Sequence, residues 1–196
     1  MIPASVRVDV AGVARDLVVR EVAPGVHLGI LLLACDPELT EAAGRALAAH
    51  VPPGAVLVMP DGKAQALLHV VQRETGRPAV LFRKERKSYL VEPVLEVRAR
   101  SITTDREHSF YLGDDQRALL DGQVVVFLDD VVSTGQTMKA LRDAMISRCG
   151  AREVRLLAVA TEGEVRVELA DVVSLVRLPV FRGEAAAGTE STGGAP

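Results

Sequence analysis

The sequence predicts an α/β fold in which helices cover both faces of a mostly parallel central sheet. Short apolar runs alternate with segments of helical periodicity, and this alternation is typical of βαβ crossovers. The chain has 196 residues, of which 48% are hydrophobic, so it can bury the core of one sizeable domain. We expect that domain to span residues 1–182 and Gly183–Pro196, rich in small and polar residues, to be a disordered tail.

The elements follow in chain order. Alternating valines over residues 6–10, a turn at Ala11-Gly12 and a return strand at Leu17–Val22 predict an N-terminal hairpin. Later strands are predicted at Val26–Ala34, Ala55–Met59, Pro78–Phe82, Gln123–Leu128, Val154–Ala160 and Val172–Val176. Three helices lie between them: Asp36 caps the first, Gly76 ends the second and Gly150 ends the third.

One long segment, Arg83–Leu112, interrupts this alternation. It is highly charged and only weakly periodic, and a segment of this length in a compact domain is typical of a lid or a linker. We therefore expect a mobile hood or lid over about residues 83–112, in which Val94, Leu95 and Val97 form an extended arm.

Composition excludes several classes of function. A formal net charge of -3 and only 3% aromatic residues disfavour a nucleic-acid-binding protein. The two cysteines lie far apart and the four histidines have no metal-ligand spacing, so no protein-built metal site is expected. The longest apolar stretch, near Gly29–Cys35, is far shorter than a membrane span, and no signal peptide is evident. The sequence therefore predicts a soluble, cytoplasmic protein.

The most informative motif begins where the apolar strand before Asp129 ends. Asp129 and Asp130 are followed by a turn rich in hydroxyls and glycine, which opens a helix. Backbone amides at such a helix start can bind a phosphate, and two adjacent carboxylates can accept hydrogen bonds from vicinal sugar hydroxyls. The simpler interpretation, in which the acids only cap the helix, does not account for the turn that follows: Val131, Val132, Ser133, Thr134, Gly135, Gln136 and Thr137.

This stretch resembles the phosphoribosyl pyrophosphate (PRPP) motif of type I phosphoribosyltransferases, differing at Gln136, where glycine is common. The resemblance implies that Asp129 and Asp130 bind the ribose 2′- and 3′-hydroxyls and that residues 131–137 hold the 5′-phosphate. A second likeness lies at Asp61-Gly62-Lys63, between a strand and a helix, where family members bind pyrophosphate. Taken alone, that tripeptide is typical of an ordinary turn with a solvated lysine.

A third likeness lies at the start of the predicted lid. Arg83, Lys84 and Lys87 resemble the basic entry to the catalytic hood of adenine phosphoribosyltransferases, where they neutralise the pyrophosphate leaving group. A charged run alone is more typical of a solvated surface. Phe181 is a candidate for stacking on the purine base, although it can equally be a plug of the core.

The resemblance implies a purine phosphoribosyltransferase of the adenine-like branch. Such an enzyme converts PRPP and a purine base into a nucleoside monophosphate and pyrophosphate, with Mg²⁺ held mainly by substrate oxygens, and is commonly a homodimer. Lys84, Lys87, Asp129 and Asp130 are the predicted catalytic residues.

The alternative is a PRPP-binding sensor that has lost the transfer activity. Ala64 and Gln136 replace frequent glycines, and the Glu-Tyr-Gly signature of adenine relatives has no counterpart at Arg100–Thr104. Neither Glu96 nor Glu107 matches that signature, so the acid or base acting on the nucleobase is unassigned. A kinase is disfavoured because the chain has no Walker-type Gly-Lys-Ser/Thr run.

Overall fold

The computed structural model describes residues 1–101, 106–163 and 171–183. Its strands are β1 (Ser5–Val10), β2 (Val13–Ala23), β3 (Val26–Gly29), β4 (Val56–Pro60), β5 (Ala79–Phe82), β6 (Leu95–Ser101), β7 (Arg106–Leu112), β8 (Val124–Val132), β9 (Glu153–Glu162), β10 (Val173–Leu178) and β11 (Val180–Arg182). Its helices are α1 (Pro37–Ala48), α2 (Gln65–Thr75), α3 (Asp114–Ala118) and α4 (Gln136–Cys149), with a short 3-10 helix at Leu33–Cys35. No helix of this described part is both long and apolar enough to cross a membrane.

The central sheet has five parallel strands in the order β10-β9-β8-β4-β5. Its strands are apolar almost throughout because both faces are covered. Val58 and Phe127 belong to the core formed with α4 and with the β6–β7 hairpin. Leu57 and Val126 belong to the opposite core, formed with α1, α2 and the N-terminal strands. The predicted fold class is therefore confirmed.

Local signals set the helix boundaries. The carboxylate of Asp36 accepts the Leu39 amide at 3.0 Å, and Pro37 occupies the first turn of α1, where its missing N–H costs nothing. The predicted ends of α2 and α4 are also correct, since Gly76 and Gly150 follow them as C-caps.

The N-terminal hairpin is confirmed, but its surroundings differ from the prediction. Its strands belong to a second sheet, ordered β1-β2-β3-β11, in which the neighbouring strands are antiparallel. The predicted strand Val26–Ala34 is wrong beyond Gly29. Leu31 and Leu33 are buried beneath the helices without belonging to a strand, so their apolar character reflects packing and not sheet pairing.

The predicted lid segment contains an antiparallel hairpin, in which β6 pairs with β7. Its inward-facing residues Val97 and Phe110 are buried in the core shared with α4. The alternation of apolar residues over Leu95–Ala99 was therefore a strand signal. The mobility of this segment stays a prediction, as does the disorder of the tail, of which residues 184–196 lie outside the described part.

Candidate active site

A cavity of about 370 Å³ opens at the carboxyl ends of β4 and β8. These strands are neighbours at a switch point of the sheet, because β5 lies outside β4 whereas β9 and β10 lie outside β8. Open α/β sheets bind ligands in the crevice that forms at such a point. The cavity is lined by Pro60, Asp61, Gly62, Lys63, Ala64, Lys84, His108, Phe110, Asp129, Asp130, Val131 and Thr137.

The acid pair lies on the last part of β8, which continues to Val132. The predicted end at Leu128 is thus too early. Asp129 Oδ1 accepts the Asp130 amide at 3.0 Å, and Asp130 Oδ1 accepts the Val131 amide at 2.9 Å. Both acids line the cavity, and Gly135 caps α4 without a side-chain hydrogen bond. The interpretation of the acids as helix caps is therefore wrong.

The electrostatics of this pair are unfavourable in the absence of a ligand. Burial and the adjacent Asp130 both raise the pKa of Asp129 well above its usual value, while the positive charge of Lys84 acts in the opposite direction. Within residues 1–101, 106–163 and 171–183, no ion pair reaches either carboxylate. Hydrogen-bond donors supplied by a ligand, such as vicinal hydroxyls, would satisfy these oxygens.

A second cavity, of about 180 Å³, lies over the turn between β8 and α4. It shares Asp129, Val131 and Thr137 with the first, and its lining is completed by Val132, Ser133, Thr134, Gly135, Gln136 and Met138. Gly135 has a φ of 73°, which places it in the left-handed region and turns the chain into α4. Since no side chain caps α4, its first amides are available to an anion. Val132 contributes backbone only, because its side chain belongs to the core.

The loop between β4 and α2 forms the opposite wall. Asp61, Gly62 and Lys63 line the cavity, as the sequence predicts. The Asp61 carboxylate accepts Gln65 Nε2 at 2.5 Å and lies 3.5 Å from Arg83 Nη2. A β-carbon built at Gly62 would lie 3.8 Å from Lys84 Nζ, so the lysine crosses closely over this loop.

The structure brings only part of the predicted basic cluster to the cavity. Lys84 lines it, whereas Arg83 faces Asp61 and Lys87 forms an ion pair with Glu85. Phe181 lies on β11 opposite His27 and lines neither cavity. The assignments of Arg83 and Lys87 to pyrophosphate and of Phe181 to the base stay predictions.

Comparison with known proteins decides the family. The sequence model described as "Phosphoribosyl transferase domain" matches residues 58–182, which include both loops and the acid pair. The chain belongs to this family. The resemblance stated from the PRPP motif is thereby confirmed for the phosphoribosyltransferase family.

Proteins named HGPRTase-like are similar in sequence to this phosphoribosyltransferase domain. An HGPRTase-like protein of Halorubrum lacusprofundi is 35% identical over 113 residues, and HGPRTase-like protein 1 of Haloquadratum walsbyi is 33% identical over 130. These matches cover 56% and 65% of this chain, and only 56% and 64% of the relatives' own length.

The solved structures that resemble the chain establish its fold. The adenine phosphoribosyltransferase of Thermoanaerobacter pseudethanolicus has a TM-score of 0.63 at 20% identity, covering 81% of this chain and 95% of that one. The enzyme of Trypanosoma brucei, solved with AMP, pyrophosphate and ribose-5-phosphate, has a TM-score of 0.59 at 19% identity, covering 74% and 67%.

Two side chains near the phosphoribosyltransferase site were missed by the sequence reasoning. His108 reaches the cavity from β7, and its alternation with Phe110 and Leu112 was the available signal. Glu162 ends β9, close to Ser133 and Asp130. Burial raises the pKa of Glu162, and the negative charge of Asp130 adds to this effect. The signal for Glu162 was an acid directly after an apolar parallel strand.

Proposed function

We propose that the protein is a phosphoribosyltransferase that transfers the 5-phosphoribosyl group from PRPP to a purine base. The observation that carries this proposal is that three structural features lie together in one crevice. The acid pair, the uncapped α4 terminus and a lysine-bearing loop all meet at the switch point between β4 and β8. They match, in order, the ribose hydroxyls, the 5′-phosphate and the pyrophosphate of PRPP.

In this proposal, each part of the chemistry is carried out by one group of side chains or backbone amides. Asp129 and Asp130 accept hydrogen bonds from the ribose hydroxyls, while the amides and hydroxyls of residues 133–137 hold the 5′-phosphate. Lys63 and Lys84 stabilise the negative charge on the departing pyrophosphate. The bond from C1′ to the pyrophosphate oxygen breaks and its electron pair leaves with pyrophosphate, while a base nitrogen forms the new bond to C1′. The proton that the base loses passes to solvent or to the departing pyrophosphate. Charge on C1′ develops as in glycoside chemistry.

Magnesium fits this site as an ion held chiefly by the substrate. In the described residues, no group of three histidine, cysteine or acidic side chains converges as a metal cage, whereas carboxylates of Asp129 and Asp130 line the cavity. Such a donor set suits Mg²⁺ bound by phosphate oxygens and water, with at most one or two protein carboxylates. When bound, the ion neutralises charge on the pyrophosphate.

The relatives support a purine base. The structural neighbours are named adenine phosphoribosyltransferases, and the sequence relatives are named HGPRTase-like. Both names refer to purine substrates, and they differ in the base. We therefore include the 6-oxopurines beside adenine among the candidate substrates.

The test is release of pyrophosphate from PRPP and Mg²⁺ in the presence of adenine, guanine, hypoxanthine, xanthine or orotate. Turnover with one purine is the expected result, with the nucleoside monophosphate identified by mass spectrometry. Turnover with orotate alone would contradict the purine assignment. Absence of both turnover and PRPP binding would contradict the function altogether.

A PRPP-binding sensor without transfer activity is the second candidate. The observation that favours it concerns Glu96, one of the two acids considered for acting on the nucleobase. Its carboxylate is engaged by Ser109 and Arg98 and does not line the cavity, so it is not placed to act on a base there. PRPP binding with no turnover on any of the five bases would support the sensor.

We also propose that the protein is a cytoplasmic homodimer. The side chains of Val18 and Val22 project from β2 and are 45% and 43% exposed, as expected of a surface that a second copy covers. Light scattering after gel filtration is expected to give twice the mass of 20.9 kDa. A monomer would contradict the assignment, and Val18→Glu is expected to shift a dimer toward monomer.

A further inference from the structure

Among the side chains that the structure describes on the inner face of the β6–β7 hairpin, His108 is the polar one that lines the cavity. The register pairs Leu95 with Leu112, Val97 with Phe110 and Ala99 with His108. Phe110 and Leu112 are buried, so this face of β7 is turned toward the core. Since side chains alternate along a strand, His108 lies on the same face, one step beyond Phe110.

The surroundings of His108 show why its imidazole faces a ligand space. The residue is exposed, and it also lines the 370 Å³ cavity, so its ring is open to the interior of that cavity. Its cross-strand neighbour Ala99 is small and buried, which leaves the ring room. In the described part of the chain, no hydrogen bond or ion pair holds the imidazole. Among the residues that the structure describes, the charged groups that share the cavity are Asp61, Lys63, Lys84, Asp129 and Asp130.

Strand pairing places His108 on the lysine side of the cavity. Arg83 and Tyr111 form an antiparallel bridge, in which their backbone amides and carbonyls exchange hydrogen bonds of 2.8 and 2.7 Å. Because the bridge is antiparallel, the step from Arg83 to Lys84 runs alongside β7 from Tyr111 toward His108. Lys84 itself lies close over Gly62. The imidazole, Lys84 and the Gly62-Lys63 loop therefore face one region, which the proposed function assigns to pyrophosphate.

We propose that His108 is a substrate-binding residue that donates a hydrogen bond to the pyrophosphate group of PRPP. This proposal rests on the proposed function and extends it to a side chain of the hairpin. The ring supplies a further donor on the side of the cavity that carries the two lysines, so that the same region provides both positive charge and a neutral hydrogen-bond donor for the pyrophosphate. The hairpin thereby contributes to binding of the leaving group, whereas the ribose and 5′-phosphate are bound by β8 and its loop.

The test measures the affinities for the two halves of PRPP, pyrophosphate and ribose-5-phosphate, in separate calorimetric titrations. In the presence of Mg²⁺, His108→Leu is expected to weaken pyrophosphate binding about tenfold, the effect of losing one hydrogen bond to a charged group. Binding of ribose-5-phosphate is expected to stay unchanged. His108→Gln, which retains an N–H donor, is expected to restore most of the pyrophosphate affinity. His69→Gln is the matched control, since His69 is an exposed histidine of α2 that lines neither cavity.

The outcomes separate this proposal from the proposed function. Equal pyrophosphate affinity of His108→Leu and the unsubstituted protein would overturn the role of His108 and leave the transferase function intact. Equal weakening of pyrophosphate and ribose-5-phosphate would also overturn it, because the ring would then only shape the cavity. No binding of either half by the unsubstituted protein would refute both proposals together. Circular dichroism melts of His108→Leu and His108→Gln check that the hairpin still folds.

Discussion

The two walls of the cavity differ in whether their carboxylates have charged or side-chain partners. The β4–α2 loop compensates its own charge, because the Asp61 carboxylate is held by Gln65 and lies beside Arg83. The β8–α4 loop does not. In the part of the chain that the structure describes, the hydrogen bonds to Asp129 and Asp130 come from backbone amides, and the α4 terminus has no side-chain cap.

This difference indicates which wall depends on the ligand. The β4–α2 loop can hold its shape without a ligand, since its carboxylate already has partners. The end of β8 carries two adjacent carboxylates and the β8–α4 loop after it carries open amides, and a sugar phosphate would satisfy both. A site of this kind costs stability in the free protein and recovers it on binding. The predictions below test this contrast.

The largest effect is expected for Asp129→Asn combined with Asp130→Asn. PRPP binding should fall at least a hundredfold because the charged acceptors for the ribose hydroxyls are lost. The free protein should become more stable at neutral pH, since burial raises the pKa of Asp129 and its ionised form is disfavoured in the fold. Titration calorimetry and thermal melts measure the two effects.

Asp143→Asn is the control for the acid pair. Asp143 lies on α4 and its exposed carboxylate pairs with Lys139, so neither PRPP affinity nor stability should change appreciably. Unchanged PRPP affinity in the double variant would refute the role of the pair in sugar binding.

A smaller effect is expected for Gly135→Ala. The left-handed φ of 73° costs an alanine about 1 kcal/mol, and the new methyl group is added in the turn that we propose to bind the 5′-phosphate. Gly122→Ala is the control: its φ is 68°, and a β-carbon there meets no atom within 4 Å. Both variants should lose similar stability in urea unfolding, and only Gly135→Ala should lose PRPP affinity, by about tenfold. Equal PRPP affinity in both variants would contradict the phosphate role of the turn.

Arg83→Gln tests the self-compensated wall. The Arg83 and Asp61 side chains are only 24% and 26% exposed, so removing the guanidinium should lower the free energy of unfolding by about 1 kcal/mol. Arg7→Gln breaks an ion pair that is far more exposed and should have little effect on stability. If Arg83→Gln left stability intact while abolishing pyrophosphate binding, Arg83 would belong to the binding machinery and the contrast between the loops would weaken.

The smallest effect is a change in the pH dependence of stability at Glu162. Its pKa is raised in the folded protein by burial, so this group makes the fold less stable as pH rises from the ordinary glutamate range through the raised value. Glu162→Gln should therefore reduce that loss in melts between about pH 4 and pH 7.

Glu41→Gln provides a control of opposite sign. A hydrogen bond from Arg73 lowers the pKa of Glu41, and this contribution to stability is present above the unfolded pKa and lost as pH falls through the folded value. The substitution should therefore remove stability at neutral pH. Identical pH profiles for Glu162→Gln and the unsubstituted protein would contradict the burial argument.

The wall formed by β8 and the start of α4 could be predicted because its functional residues are consecutive in the sequence. The acid pair, the hydroxyls and Gly135 stand in one run, and a parallel strand carries them to the edge of the sheet where ligands bind. The alternation of strands and helices likewise sufficed for the central sheet. The strand itself proved longer than predicted, since a polar residue at a sheet edge need not end the pairing.

The remaining parts depend on pairing between distant segments. His108 reaches the cavity through the register of β6 with β7, and Arg83 faces Asp61 through contacts across the sheet edge. The alternation of His108 with Phe110 and Leu112 indicates which face of β7 it occupies, but no local pattern encodes the pairing of distant segments that brings either side chain to its place. The apolar run Val26–Ala34 shows the same limit, because burial under helices and burial in a sheet select the same residue types.

The pairing of β11 with β3 has a consequence for synthesis of the protein on the ribosome. Residues 180–182 complete an antiparallel sheet whose other strands lie within the first 29 residues. The edge of β3 therefore stays open while the whole central sheet is being translated, and it closes only after Arg182 has left the exit tunnel. During that interval the exposed strand edge is a place where a chaperone, or a neighbouring nascent chain, can bind.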